Sequence, residues 1–171
     1  CLCLRDVDLG GEVRVRDVFA RGDLDPVRDS LEAEVPAHGV RIFRLTAEER
    51  LEHIRYEAET AWLTDYQELY NPVAFHTPMY SPVPECSGGM AVTRLGFKPT
   101  NDLQWRDIYS KAGGEYRLTL RCLCPEERIF YLSLGTGAGR TVTVPAAPGW
   151  QDVTLTLRLE PGVNCLRLCN D

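Results

Sequence analysis

The chain has 171 residues, with 19 Lys plus Arg against 25 Asp plus Glu, a formal charge of −6, 44% apolar and 26% charged residues. This is the balance of a folded globular protein with room for one domain or two small ones, and it excludes disordered and fibrous classes. Apolar runs such as Ile129 to Leu132 are a few residues long. A membrane span needs about 20 and a signal-peptide core roughly 7 to 15, so neither is read here. The arginines are scattered among carboxylates with no stripe to track phosphates, so nucleic acid is not an expected partner. The first residue is Cys1 rather than Met, which reads as a piece cut from a longer protein.

Period-two alternation dominates the chain and sustained helical periodicity is nearly absent, which predicts an all-β fold. Val13, Val15 and Val18 interleave with Arg14, Arg16 and Asp17, and the turn-rich stretch from Arg21 to Pro26 interrupts them. Leu31, Ala33 and Val35 alternate next, and a strand from Val40 to Leu45 follows Pro36 and Gly39. Thr46 to Glu52 is the one stretch that reads as helical, with Thr46 as N-cap and Glu49 at the capping-box position; residues 47–52 also read as a linker. Ile54 to Ala61 reads as a strand, and Tyr70 to Pro84, with four prolines, as a long surface loop.

From Gly89 onward the spacing of strands and turns is that of a sandwich or jelly roll. The expected strands are Met90–Leu95, Leu103–Tyr109, Tyr116–Cys122, Ile129–Leu134, Thr141–Val144, Val153–Leu159 and Asn164–Leu168. Gly113-Gly114, Gly135 to Gly139 and Glu160-Pro161-Gly162 supply turns between them. The glycines of 135–139 superficially suggest a dinucleotide loop, but a strand rather than a helix follows, so they read as a hairpin turn. The whole is a partial antiparallel β-sandwich piece, residues 1–46, followed by a β-jelly-roll sandwich, residues 53–171. A piece of 46 residues is near the lower size limit of about 40 for unaided folding, so it reads as the end of a larger sandwich.

Seven cysteines, Cys1, Cys3, Cys86, Cys122, Cys124, Cys165 and Cys169, form an odd set. Cys1 with Cys3 and Cys122 with Cys124 are two apart in strand-like text, about 6.5 Å along one face, a poor geometry for a bridge. No spacing matches a zinc site. Most read as small buried hydrophobes, with one bridge between distant cysteines left open.

Two resemblances emerge. Val13 to Phe19, Asp23-Leu24, Val35-Pro36-Ala37-His38-Gly39-Val40 and Phe43-Arg44-Leu45 resemble the C-terminal β-domain of α-galactosidase-type glycoside hydrolases of family twenty-seven. In that family the domain follows a catalytic barrel bearing two aspartates. His38, beside Gly39, reads as a structural turn residue. Tyr56 to Ala61, Cys86-Ser87-Gly88-Gly89 with Val92 and Leu95-Gly96, Ala112 to Leu118, and Leu159 to Leu168 are similar to the jelly-roll carbohydrate-binding modules of families six and thirty-five, in the same order across the remaining chain.

Glu57 and Glu59, two apart on the expected strand, place both carboxylates on one face, where they repel unless a cation lies between them. The resemblance implies a structural calcium at this pair; two solvated glutamates are the plain alternative. The family completes its site with an aspartate in the last strand, whereas this chain closes on Asn170-Asp171. Parallel side chains on one strand cannot flank a sugar from opposite sides, which argues against a glycosidase acid and base. Sugar binding needs an exposed aromatic face with polar groups around it. Trp150, after Pro148-Gly149, is the first choice, Tyr80 the second, and Asn101 and Asp102 are loop hydrogen-bonding candidates. Trp105 reads as core and Trp62 is ambiguous. Thr93 and Arg94 stand where family-six modules carry a second stacking aromatic.

The functional expectation is non-catalytic glycan binding by the C-terminal region of an exported, extracellular or periplasmic, α-galactosidase-like glycoside hydrolase. Its partners would be a galactose-containing glycan and the catalytic barrel of the same parent chain, with structural calcium as the cofactor. The competing expectation is a β-sandwich that buttresses the barrel without binding sugar.

Overall fold

The computed structural model describes residues 1–64, 79–95 and 101–170. The chain is all-β and divides into two compact units, Cys1–His53 and Ile54–Asp171. In the first, β1 (Leu2–Cys3) pairs with β4 (Ser30–Leu31), while β2 (Leu9–Asp17) lies between β3 (Gly22–Val27) and β5 (Phe43–Arg50), all antiparallel. Alternation along β2 buries Val13, Val15 and Asp17 and turns Arg14 and Arg16 outward. Asp17 accepts the amide of Ala20 at 2.8 Å and pairs with Arg41; the Ala20 hydrogen bond first, then Arg41, hold its carboxyl below the ordinary range despite burial.

Three expectations fail here. Of the stretch from Arg21 to Pro26 only Arg21 is in a turn and the rest belongs to strand β3, and the β2–β3 register shifts where Asp25 and Pro26 stand, an edge-strand bulge that tolerates a residue without an amide donor. Thr46 to Arg50 is strand, not helix or linker: Phe43, Leu45 and Ala47 face inward at period two and the segment pairs with β2 across a bulge, so pairing outweighs a local cap signal. The break between compact units falls after His53. Cys1 and Cys3 are exposed rather than buried, and all seven cysteines are free thiols.

The second unit is an antiparallel sandwich. One layer is a five-stranded sheet in the order β12 (Arg140–Val144), β11 (Arg128–Leu134), β14 (Gly162–Asn170), β9 (Asp102–Ser110) and β6 (Trp62–Leu63). The other is built on β10 (Gly114–Leu123) and β13 (Trp150–Leu159), paired along their whole length from Gly114 opposite Leu159 to Leu123 opposite Trp150. A hairpin of β7 (Met79–Pro82) and β8 (Met90–Thr93) adds Tyr80 and Val92 to the core margin. Leu103, Phe130, Leu132, Val142, Val144, Leu166 and Leu168 of the first layer meet Leu157 of the second, with Leu118, Leu120, Val153 and Leu155 packed against them.

The seven strands expected after Gly89 are all present, and Gly135 to Gly139 is the β11–β12 hairpin turn. Two other readings are corrected. Ile54 to Ala61 forms no strand: Ile54 is 98% exposed, and Ala58–Thr60 is a single 3-10 turn. Within the stretch read as a loop from Tyr70 to Pro84, residues 79–82 are β7, and the part before Met79 lies outside the described residues.

Gly113 has φ +68°, and a Cβ there would lie 2.7 Å from Pro161 Cδ and 2.9 Å from the Leu159 carbonyl oxygen. Gly113→Ala is therefore expected to lower stability by about 1–3 kcal/mol. Gly149→Ala, where a Cβ meets nothing within 4 Å, should stay within about 0.5 kcal/mol. Urea denaturation of the two variants checks the contrast. Leu166→Ala, at the centre of the five-stranded layer, should cost about 2–5 kcal/mol in the same measurement.

Candidate functional site

The outer face of the five-stranded layer carries the densest polar construction in the second unit. Along β14, Leu166 and Leu168 enter the core, so Cys165, Arg167 and Cys169 emerge on the opposite face. Along β9, Leu103 and Trp105 point inward and Asp102, Gln104 and Arg106 outward. The register then shifts: Ile108 pairs with Asn164 and Trp105 with Leu166, leaving Arg106 and Asp107 as the extra width of a bulge, both exposed. β6 adds Trp62 opposite Gln104 and Leu63 opposite Leu103. Leu63 is buried, so Trp62 stands on the outer face, where it is 55% exposed, the most exposed of the three indoles.

Between these strands lies a shallow depression of about 410 Å³ lined by Thr64, Asp102, Gln104, Gly135, Cys165 and Arg167. Asp102 forms its floor, only 3% exposed. Gln104 Nε2 donates to both carboxylate oxygens at 3.0 and 2.9 Å, and Arg167 Nε donates to one of them. Burial pushes the Asp102 carboxyl up, but hydrogen bonds from Thr64, Gln104 and Arg167 together with the Arg167 charge outweigh it, so it lies below the ordinary range and stays ionised. Arg167 is raised in turn, by its hydrogen bond to Asp102 above all. At the edge of the same face the Arg106 guanidinium lies 4.2 Å from the Trp62 ring centroid, and its Nε donates to Gln104 Oε1 at 2.8 Å. An exposed ring beside fixed donors and acceptors is the arrangement that holds a pyranose, with its C–H face on the indole and its hydroxyls on the polar groups.

The residues singled out from sequence are dispersed. Trp150 opens β13, half-buried, opposite Leu123. Tyr80 is a packing residue: its ring lies against the core and its hydroxyl donates to the Ala61 carbonyl at 3.4 Å. Asn101 has no exposed surface, which overturns its reading as a loop donor, because a fully buried side chain does not meet a surface ligand. Trp105 packs at the core margin as expected, with Nε1 donating to the Glu57 carbonyl at 3.2 Å. Glu57 and Glu59 do not share a strand face. Glu57 precedes the 3-10 turn that contains Glu59. Both nevertheless converge on the Ser87-Gly88-Gly89 turn: Ser87 Oγ donates to Glu57 Oε2 at 2.9 Å, Arg55 Nε pairs with Glu57 Oε1 at 2.9 Å, and a Cβ on Gly88 would lie 3.1 Å from Glu59 Oε1. Gly88, at φ +71°, thus leaves a cradle for the Glu59 carboxylate. These are hard oxygen donors of the kind calcium takes. Among the described residues no three His, Cys, Asp or Glu side chains converge on one point, so among them any further oxygens would come from carbonyls, Ser87 or water.

Trp62, Gln104, Arg106 and Arg167 were not identified as a site from sequence. The alternation of Leu103 and Trp105 implied an outward Gln104 and Arg106, but nothing in the chain text places β6 beside β9.

The chain matches no protein-family model, and a search of curated proteins found no match. Among solved structures it is similar to a family 35 carbohydrate-binding module from Clostridium thermocellum, with TM-score 0.59 and 21% identity over 67% of this chain and 84% of that one. This is a carbohydrate-binding-module fold. It is also similar to the exo-β-1,3-galactanase of Phanerochaete chrysosporium crystallised with β-1,3-galactotriose (TM-score 0.56, 21% identity, 71% of this chain, 26% of that chain). A third similarity is to the isomalto-dextranase of Arthrobacter globiformis T6 complexed with panose (TM-score 0.53, 18% identity, 96% of this chain, 28% of that chain). The chain thus spans about a quarter of the length of each of these two enzymes. Among the described residues no helix is long and apolar enough to cross a membrane.

Asp102 makes the stability of the fold depend on pH. Its folded pKa is depressed, so its contribution to stability is present above its unfolded value of about 3.9 and is lost as pH falls through the lower folded value. Asp102→Asn should therefore lower stability by about 1–3 kcal/mol at neutral pH. The difference from wild type should narrow below about pH 4, as measured by thermal or urea unfolding across a pH series.

Proposed function

We propose that the chain is a non-catalytic accessory region of a glycoside hydrolase and that the unit from Ile54 onward binds a glycan on the outer face of its five-stranded layer. The observation that carries this reading is the Trp62 indole, 55% exposed on a sheet whose neighbouring positions form a polar depression around an ionised, buried Asp102. An exposed aromatic ring beside oriented polar groups is the combination on which a sugar packs its C–H face and fixes its hydroxyls. The galactotriose held by the structurally similar exo-β-1,3-galactanase supports galactose-containing polymers as first ligands. The family-twenty-seven resemblance of residues 1–46 supports an α-galactosidase-like parent, whose catalytic barrel would be the module's partner in the same chain. Such enzymes meet their polymers outside the cell or in the periplasm. Tethering raises the local substrate concentration even where each contact is weak.

Affinity gels with arabinogalactan and a panel of other polysaccharides test the proposal. Retention is expected for at least one galactose-containing polymer, and Trp62→Ala should weaken it about tenfold or more, roughly 1.4 kcal/mol. Trp150→Ala, the first candidate from sequence, should have the smaller effect. Retention of no polymer at all overturns the reading in favour of the second one, a scaffold that buttresses its catalytic partner. That alternative draws on the placement of Tyr80, Trp105 and Asn101, all committed to packing. No turnover of a chromogenic α-galactoside is expected from this chain.

We further propose that Glu57 and Glu59 bind a structural calcium at the Ser87-Gly88-Gly89 turn. Calcium at 100 times its dissociation constant should then stabilise the fold by about 2.7 kcal/mol, seen as a rise in melting temperature that EDTA reverses. Glu57→Gln with Glu59→Gln should abolish the calcium effect; a rise that persists in the double variant places the ion elsewhere.

A further inference from the structure

Trp62 sits on a strand of two residues that, among the described residues, is the edge of its sheet and pairs on one side, Trp62 opposite Gln104 and Leu63 opposite Leu103. An indole in that position gains little support from packing, and a ring free to swing must be ordered each time a ligand lands on it. The structure supplies the missing support from β9. Arg106 lays its guanidinium 4.2 Å from the ring centroid, a stacked cation–π contact that occupies one ring face. An arginine is itself flexible, but this one is held: its Nε donates to Gln104 Oε1 at 2.8 Å.

The Gln104 amide has one orientation available. Its Nε2 donates to both Asp102 oxygens, and a carboxylate accepts only from the NH₂ end, so the carbonyl end must face Arg106. Asp102 is buried, anchored by the β9–β14 ladder and by Arg167. The chain of contacts therefore runs from a fixed, ionised carboxylate through one amide to the cation stacked on the exposed indole. The bulge at Arg106-Asp107 keeps both residues on the outer side while Trp105 and Ile108 return to the core.

We infer that Arg106 is a positioning residue, locked by Gln104 to Asp102, that holds the Trp62 indole in one orientation as the platform for a saccharide ring. This rests on the reading that the glycan meets Trp62. The inference has a component that needs no ligand: in the free protein, fast-timescale relaxation of the Trp62 indole Nε1–H should report a rigid ring, and Arg106→Ala should increase its mobility. Gln104→Met, similar in shape but unable to accept from Arg106, should move the indole in the same direction.

In affinity gels with arabinogalactan, Arg106→Ala should weaken binding about five- to tenfold while the thermal midpoint stays near wild type. Arg106→Lys, which keeps the charge but not the planar stack, should restore less than half of that loss. An unchanged indole mobility in Arg106→Ala overturns the inference. So does unchanged or tighter binding by that variant in a protein whose Trp62→Ala form has lost binding, since Arg106 would then be a bystander or a cover. Full binding by Trp62→Ala instead removes the site itself, and the proposed role for Arg106 with it.

Discussion

The alternation of side chains along β14 is the constraint on which the second unit depends. β14 is the central strand of the five-stranded layer, paired with β11 on one side and β9 on the other. Its even positions, Leu166 and Leu168, build the core, and its odd positions, Cys165 and Arg167, line the outer depression. A slip of one residue would exchange the two sets and place a guanidinium in the apolar interior. Core and site are therefore specified by one register, and the apolar contact between layers is what keeps Arg167 aimed at Asp102.

The same constraint explains why a buried carboxylate is tolerated at the surface layer. Asp102 is removed from water, which by itself disfavours its charge, but Thr64, Gln104 and Arg167 surround it with donors. Each donor is a residue of a strand or immediately follows one, so their positions follow from backbone pairing rather than from loop conformation. Sites built on paired strands hold their geometry more closely than sites on loops. Cys122 shows the contrasting effect of burial beside a second thiol: it is pushed up to about 11 by desolvation first and by neighbouring Cys124 second. It is consequently a protonated, poorly nucleophilic group at neutral pH, in keeping with a packing role.

Local preference lost to pairing in the first unit and prevailed in the second. Thr46 and Glu49 carry a helix-start signal, yet the inward series Phe43, Leu45 and Ala47 joins β2 in a long antiparallel ladder that buries its apolar face. Near Ile54 the chain joins no strand ladder among the described residues, the apolar side chain stays in solvent, and a single 3-10 turn forms at Ala58–Thr60. The Glu57 and Glu59 carboxylates consequently meet the Ser87-Gly88-Gly89 turn from different backbone conformations.

The amino-acid sequence alone determined the all-β class, the seven strands after Gly89, the hairpin turns and the inward faces of β9, β11 and β14, because a half-buried strand writes its orientation into residues two apart. The meeting of Glu57 and Glu59 with Ser87-Gly88-Gly89 came only with the structure, since the sequence pointed to the two glutamates alone. Which tryptophan is exposed was decided by tertiary structure. Trp62 lies between Ala61 and Leu63 in the sequence, Trp105 between Gln104 and Arg106, and Trp150 between Gly149 and Gln151, yet it is Trp62 that is exposed, because their separation into an exposed ring, a core-margin ring and a half-buried ring depends on which strand lies alongside. The link from Asp102 through Gln104 to Arg106 and Trp62, and the arrival of Arg167 from 65 residues away, exist only once β6, β9 and β14 are side by side. Pairing between distant strands is carried by backbone groups that are the same for nearly every residue, so the sequence records each strand's faces far more clearly than its neighbours.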